Sequence, residues 1–461
     1  MDPEKRAKRQ SFKIIVSEVI MVVTVIITVI VLALVVSGYW LNSNFEVERQ
    51  GMLQINSVPT GASVMVDGNS PWFQRTNTSK ILASGEHEII LSKEGYDTWS
   101  KTVNIKEGLL YRLNYPHLFL KNRVKEFAYD TTTTTFATVS PNRKLMLLAN
   151  NTTSWELVNL DSDVIKPTLI DVSKLFLSAN LTNPTNYDLF SGEILSASWD
   201  SANNHVLLEV KNDDSAEWVL LDIRNSDKSI NLTREFAADF GNMSIFDNSA
   251  DNLLAIRNGN LHKIDVNARQ ISAVIIENVT DYDFFDSEIL FSSTSQVGLL
   301  KMGQEAPTII KEISDEAKVL IGKFYDDKYL YVVEGKQITV YQKNSLEEVM
   351  QAEISFVPQK VKIGYDGDFV FMNSDANFAT LDMESMQVTE WAVNSNHYGW
   401  LNGYMIYVVD DGELSVYDFD GLNHRSLASN VSNHFPVTIT NEKWLYYFSD
   451  DKLMREWLIA R

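Results

Sequence analysis

The first pattern along the chain is an unbroken apolar run. From Ile14 to Val36 the only polar residues are Ser17, Glu18, Thr24 and Thr28, and no charge falls between Val19 and Val36. As a helix the run would extend about 34 Å at ~1.5 Å per residue, enough for a bilayer core. Its Val, Ile and Thr favour strand in water, but in lipid the backbone must satisfy its own hydrogen bonds, so a helix is predicted. Lys5, Arg6, Lys8, Arg9 and Lys13 precede the run, and Tyr39 and Trp40 follow it. Basic residues are retained on the cytoplasmic side and aromatic rings anchor at the interface. The prediction is therefore a cytoplasmic basic tail at 1–13, a single-pass transmembrane helix at 14–37, and everything beyond it extracytoplasmic. The competing reading is a cleaved signal peptide. The run is longer than a usual signal core, and Ser37-Gly38 is followed at once by Tyr-Trp, which favours an uncleaved anchor.

After a polar stalk at 38–50 the period changes to two. Leu53–Asn56, Val64–Val66, Glu88–Leu91, Thr102–Ile105 and Leu109–Leu113 read as five short strands. They are separated by turn signals at Pro59–Ala62, Asp67-Gly68, Gly85 and Lys93–Tyr96. This predicts a small β-sandwich at 51–114.

The residues that carry this frame also carry a resemblance. Ser57-Val58-Pro59-Thr60-Gly61-Ala62, then Val64-x-Val66-Asp67-Gly68, Gly85-x-His87-x-Ile89 and Gly95-Tyr96 together resemble the PEGA domain. Thr60 stands where the family usually has glutamate, and Ser70–Arg75 replaces its usual loop. The resemblance implies an extracytoplasmic structural or adhesive module of bacterial surface proteins, with no catalytic residues to carry over.

From about residue 115 to the end one unit recurs: a hydrophobic strand, a polar turn, and a second strand that ends in an acidic or polar turn. Strand centres fall at Leu147, Leu207, Leu254, Leu290, Leu330, Val370, Ile406 and Leu445, a period of roughly 43 residues. A further short strand precedes several pairs, as at Phe136–Val139, Leu195–Trp199 and Val361–Tyr365. Four short strands at this period predict a β-propeller at 115–461, with eight blades, or seven if the weak fourth copy is an insertion. The last copy ends at Arg461 without an outermost strand, and Tyr115–Asn122 is expected to supply it and close the ring. The longest step holds an insertion between Ser162 and Asp188, where Asp171–Phe176 reads as a short helix or an outer strand. The fold class is thus mainly β: an N-terminal transmembrane helix, a small PEGA-like sandwich and a propeller.

Charge and composition narrow the function. The net charge is −21 although the first thirteen residues are net basic, so the remainder is strongly acidic and unsuited to nucleic acid. The chain has no cysteine, which removes disulfides, zinc thiolates and a cysteine nucleophile. The seven histidines are scattered singly, no HExxH or Gly-x-Ser-x-Gly occurs, and there is no Gly-rich phosphate loop. No catalytic residue, metal site or cofactor is expected. Asp366-Gly367-Asp368 and Asp410-Asp411-Gly412 read as hairpin turns, since they lack EF-hand spacing. Candidate ligand contacts are the aromatic residues Trp72 and Phe73 on a loop, and Tyr398 and Trp400 on an inner strand; Trp199 ends another such strand, and all three strand positions suit core packing as well. The expectation is a membrane-anchored binding or scaffold protein of the cell surface with a protein or glycan partner; the sequence does not define the oligomeric state. The alternative is a propeller-type enzyme acting on surface glycans or peptides, for which Asp200 and Asp283 at inner-strand ends are the candidate acids.

Overall fold

The computed structural model describes residues 3–36, 39–41, 47–69, 75–176, 192–212, 215–246, 249–364, 367–375, 377–393, 395 and 397–459. The chain divides into two compact units, Met1–Lys121 and Asn122–Arg461.

In the first unit Pro3–Val36 is one continuous helix, α1. Its described apolar side chains, from Val16 to Leu34, are exposed on every face. The hydroxyls of Thr24 and Thr28 donate back to the carbonyls of Ile20 and Thr24, each at 2.8 Å. Over the residues whose side chains are described, 16 and 18–34 within this helix, no helix is long and apolar enough to cross a membrane. The expected span of 14–37 reaches beyond them on both sides.

Two sheets follow. One holds Tyr39–Leu41, Val47–Ile55, Thr78–Ala83 and Leu110–Leu113; the other holds Ser63–Val66, Gly85–Ser92 and Trp99–Ile105. Leu53, Ile55, Val64, Val66, Ile89, Leu91, Trp99 and Val103 alternate with exposed neighbours and fill the space between the sheets. Two strands exceed the sequence reading. Thr78–Ala83 has little burial on either face, and Tyr39–Leu41 pairs with the start of Val47–Ile55. The expected stalk is therefore partly sheet. Gly51 is required by close approach, because a Cβ there would meet the Lys106 carbonyl oxygen at 2.4 Å.

The second unit consists of eight four-stranded antiparallel sheets among the described residues. Seven are consecutive meanders: blade 1 at 134–171, blade 2 at 193–231, blade 3 at 243–271, blade 4 at 279–312, blade 5 at 317–353, blade 6 at 360–392 and blade 7 at 397–428. Blade 8 combines Thr438–Thr440, Trp444–Ser449 and Lys452–Trp457 with Lys125–Asp130. Apolar clusters join blade to blade, and one of them sets Met146, Leu148 and Val158 of blade 1 against Tyr446, Phe448 and Leu453 of blade 8. Thr440 and Tyr446 also donate to the carbonyls of Arg143 and Leu160, at 2.7 Å each. The ring is closed. Tight hairpins within the blades use two residues with positive φ, as at Asn258-Gly259, Asp411-Gly412 and Asp450-Asp451, whose twist matches that of the flanking strands.

The closing strand differs from the expected one. Residues 115–121 belong to the first unit, where Val58 N–H donates to the Pro116 carbonyl and Leu118 N–H to the Val58 carbonyl, and where Lys121 N–H donates to the Gly95 carbonyl. Leu118 and Phe119 are hydrophobic because they are buried in the sandwich. Lys125–Asp130 closes the ring instead. It is the outermost strand of its blade, with Phe127 58% exposed, and its sequence carries only a weak apolar signal.

Candidate functional site

The innermost strands of the eight blades meet side by side. Their free backbone edges pair with no further strand and need other partners; at the seam of blades 4 and 5 those partners are side chains of blade 4. On blade 4, Asp281 and Asp283 lie two residues apart and share one face of Val279–Phe285. Asp281 Oδ2 accepts from Val319 N–H at 3.0 Å and Asp283 Oδ2 from Ile321 N–H at 2.9 Å, both on the innermost strand of blade 5. Asp283 Oδ1 also accepts from Phe284 N–H at 2.9 Å. Burial pushes the Asp283 carboxyl up to about 6, against the pull of those two N–H groups and with a small push from Asp281. Burial likewise raises Asp281, opposed by the Val319 N–H and by Lys318.

Above these carboxylates the ends of three innermost strands frame an open cleft of about 670 Å³. Blade 4 contributes Asp283 and Phe285, blade 5 contributes Leu320–Lys323 and Tyr325, and blade 6 contributes Val361–Gly364, Gly367 and Asp368. Gly367, with φ of 79°, lies so close to blade 5 that a Cβ would sit 2.1 Å from the Lys323 carbonyl oxygen. Only glycine permits that wall. Tyr325 also has a positive φ, 51°; its ring is half exposed and its hydroxyl donates to Glu384 Oε2 at 2.7 Å. Burial depresses the Lys362 ammonium, and Lys360 adds to the effect. Lys362 makes no hydrogen bond or ion pair with any described residue.

The expected site residues fall elsewhere. Trp72 and Phe73 lie outside the described residues. Tyr398 and Trp400 are on the innermost strand of blade 7, half-buried against blade 6. Tyr398 meets Phe378 edge-on at 4.7 Å and bonds to Asn373; Trp400 meets Phe371 edge-on at 5.3 Å. Trp199 donates from Nε1 to Thr138 Oγ1 of blade 1 at 3.1 Å. These three rings pack blade against blade. Asp200 is buried at a turn: Oδ1 accepts from Asn204 and His205 N–H, and Oδ2 faces His205 Nδ1 at 2.8 Å. Asp222, Asp265 and Asp382, which end third strands, likewise accept from N–H groups two or three residues on. The recurring acidic turns thus cap the backbone. Among the described residues no group of His, Asp or Glu is arranged to hold a metal ion. Of the anchor-flank residues, Tyr39 receives a hydrogen bond from Arg49 at 2.5 Å; the side chains of Lys5, Arg6, Lys8, Arg9, Lys13 and Trp40 lie outside the described ones.

Of the cleft residues the sequence singles out Asp283 alone, as a candidate acid of the enzyme alternative; Lys323, Tyr325 and Lys362 were missed. The available signal was the lysine at alternate positions in Lys360–Ile363, on a strand already read as facing the channel.

In the first unit the residues that carried the PEGA resemblance meet in space. His87 Nδ1 faces Asp67 Oδ2 at 2.7 Å, His87 Nε2 faces the Ala83 carbonyl at 2.8 Å, and Asp67 Oδ1 accepts from Glu88 N–H at 2.9 Å. Residues 50–117 match the PEGA domain family. The chain therefore carries a PEGA domain, and a β-propeller follows it. No curated protein sequence matches the chain. Solved structures similar to it include Hsv2 of Kluyveromyces lactis, 10% identical with a TM-score of 0.43, covering 66% of this chain and 99% of that one. The computationally designed Ika8 protein is 10% identical with a TM-score of 0.43, covering 72% and 98%. PorZ, a surface component of the type-IX secretion system of Porphyromonas gingivalis, is 13% identical with a TM-score of 0.41, covering 70% and 42%. The propeller assignment rests on the eight sheets and their closure.

Proposed function

We propose that this chain is a membrane-anchored, extracytoplasmic binding or scaffold protein of the cell surface. The observation that carries the reading is the helix Pro3–Val36, whose described apolar side chains face outward all round while its threonine hydroxyls bond within the helix. Such a surface is unfavourable in water and suits lipid. The basic residues before it and the aromatic pair after it favour an N-terminus in the cytoplasm. The PEGA domain then stands next to the membrane and the propeller offers its channel end to a ligand. A non-enzymatic role is favoured by the spending of Asp200, Asp281 and Asp283 on backbone N–H groups, because a general acid or nucleophile needs a carboxyl free to act. Carbonate extraction followed by N-terminal sequencing tests the anchor. The full chain is expected in the membrane pellet with its N-terminus near Met1. A soluble form that begins near Tyr39 would overturn the proposal.

A further inference from the structure

The eight innermost strands differ in charge. Among the described residues, only those of blades 5 and 6 carry lysine: Lys318 and Lys323 on Ala317–Phe324, and Lys360 and Lys362 on Lys360–Ile363. Neither of these two strands holds an acidic residue. Four cations on two adjacent strands, in a chain of net charge −21, are a local reversal of sign that solubility does not require. Two of them, Lys323 and Lys362, line the cleft. Lys323 lies 3.7 Å from a fully exposed Asp326, a contact worth little in water. Lys362 is a buried cation that makes no ion pair among the described residues, although Asp283 and Asp368 line the same cleft, and such a cation favours an incoming anion. Tyr325 lines the same cleft, half exposed, with its hydroxyl on Glu384 and the Phe324 ring 4.3 Å from its own, and an aromatic side chain there suits stacking on a sugar ring.

We infer that the cleft between blades 4, 5 and 6 binds an anionic saccharide, with its carboxylate or phosphate at Lys362 and Lys323 and its ring on Tyr325. This deepens the reading of the propeller as a ligand-presenting body and rests on it. Asp283 makes the site pH-sensitive. It lines the cleft together with Lys323, Lys362, Tyr325 and Asp368; Asp281 lies next to it, and Lys318 acts on Asp281. Its carboxyl ionises at about 6, so above that pH it adds a negative charge that opposes the ligand.

Calorimetric titration of the full chain in detergent tests this with three probes: a glucuronate-terminated oligosaccharide, its neutral glucose counterpart and a sugar phosphate. At least one anionic probe is expected to saturate the protein while the neutral one does not, and whichever anion binds identifies carboxylate or phosphate as the source. Lys362→Met is expected to weaken binding by ~10-fold or more, and Lys362→Arg to retain most of it. If the glucuronate probe is the one that binds, it is expected to tighten between pH 7.5 and 5.5, and Asp283→Asn to flatten that dependence. No saturable binding, equal binding of the neutral sugar, or wild-type affinity in Lys362→Met would overturn the inference. Carbonate extraction reads the anchor independently of any sugar. A null titration of a membrane-retained protein therefore sinks the cleft alone, whereas a soluble processed form sinks the anchored reading.

Discussion

Asp283 and Asp67 show two carboxylates with opposite effects of pH on stability. Burial raises Asp283 from 3.8 to about 6 in the folded chain. A raised group contributes stability that is complete below the unfolded value and is lost as pH climbs through the folded one. Its ionisation therefore costs at most roughly 3 kcal/mol, less the screening that the open cleft allows. Asp283→Asn keeps an oxygen for the Ile321 N–H and removes the charge. It is expected to stabilise the propeller at pH 8 and to be near neutral at pH 4, as denaturant unfolding at the two pH values would show. A loss of stability at pH 8 would contradict this account of the seam. Asp67 is held below the usual carboxylate range, first by His87 and then by the Glu88 N–H, with burial opposing. Its contribution is present above the unfolded value and is lost as pH falls through the lowered one. Asp67→Asn is expected to destabilise the PEGA domain at pH 7 and to have no effect near pH 2. Equal destabilisation at both would assign the pair's role to packing. The sequence placed Asp67 and His87 in one motif, but their contact across twenty residues depends on strand register, which the motif alone does not fix.

At the scale of elements, legibility followed burial. The second and third strands of every blade are flanked by neighbours on both faces, and sequences such as Leu145–Asn150 or Trp444–Ser449 are apolar almost throughout. All eight pairs were readable for that reason. Outermost strands such as Thr168–Asp171, Ile230–Asn231 and Gln270–Ile271 are short, Thr168–Asp171 is mostly exposed, and hydrophobic pattern does not mark them. The same cause displaced the closing strand from Lys125–Asp130 to the more apolar 115–122. The cleft was less legible still, because Lys323 and Tyr325 come from blade 5 and Lys362 from blade 6, and only the ring brings the two blades together. Deleting residues 122–131 is expected to expose the edge of Lys452–Trp457. It should also remove the Glu126–Arg455 and Arg123–Glu456 pairs, at 3.1 and 3.3 Å. Amide exchange in that strand should accelerate by orders of magnitude while exchange in Gly85–Ser92 of the PEGA domain is unchanged. Unaltered protection of Lys452–Trp457 would contradict closure through Lys125–Asp130.

At the scale of the molecule, three kinds of surface sit on one chain: an apolar helix, an acidic β body, and a small basic sector on two innermost strands. Each suits a different environment, which are lipid, water and an anionic ligand respectively. The anchored, outward-facing arrangement that joins them is the central claim, and a chain without cysteine allows a clean test of it. Gln10→Cys and Asp326→Cys variants, the second at a fully exposed position, can be treated in intact cells with a membrane-impermeant maleimide. The account predicts that Asp326→Cys is labelled in intact cells and that Gln10→Cys is labelled only after lysis; labelling of Gln10→Cys with protection of Asp326→Cys would contradict it.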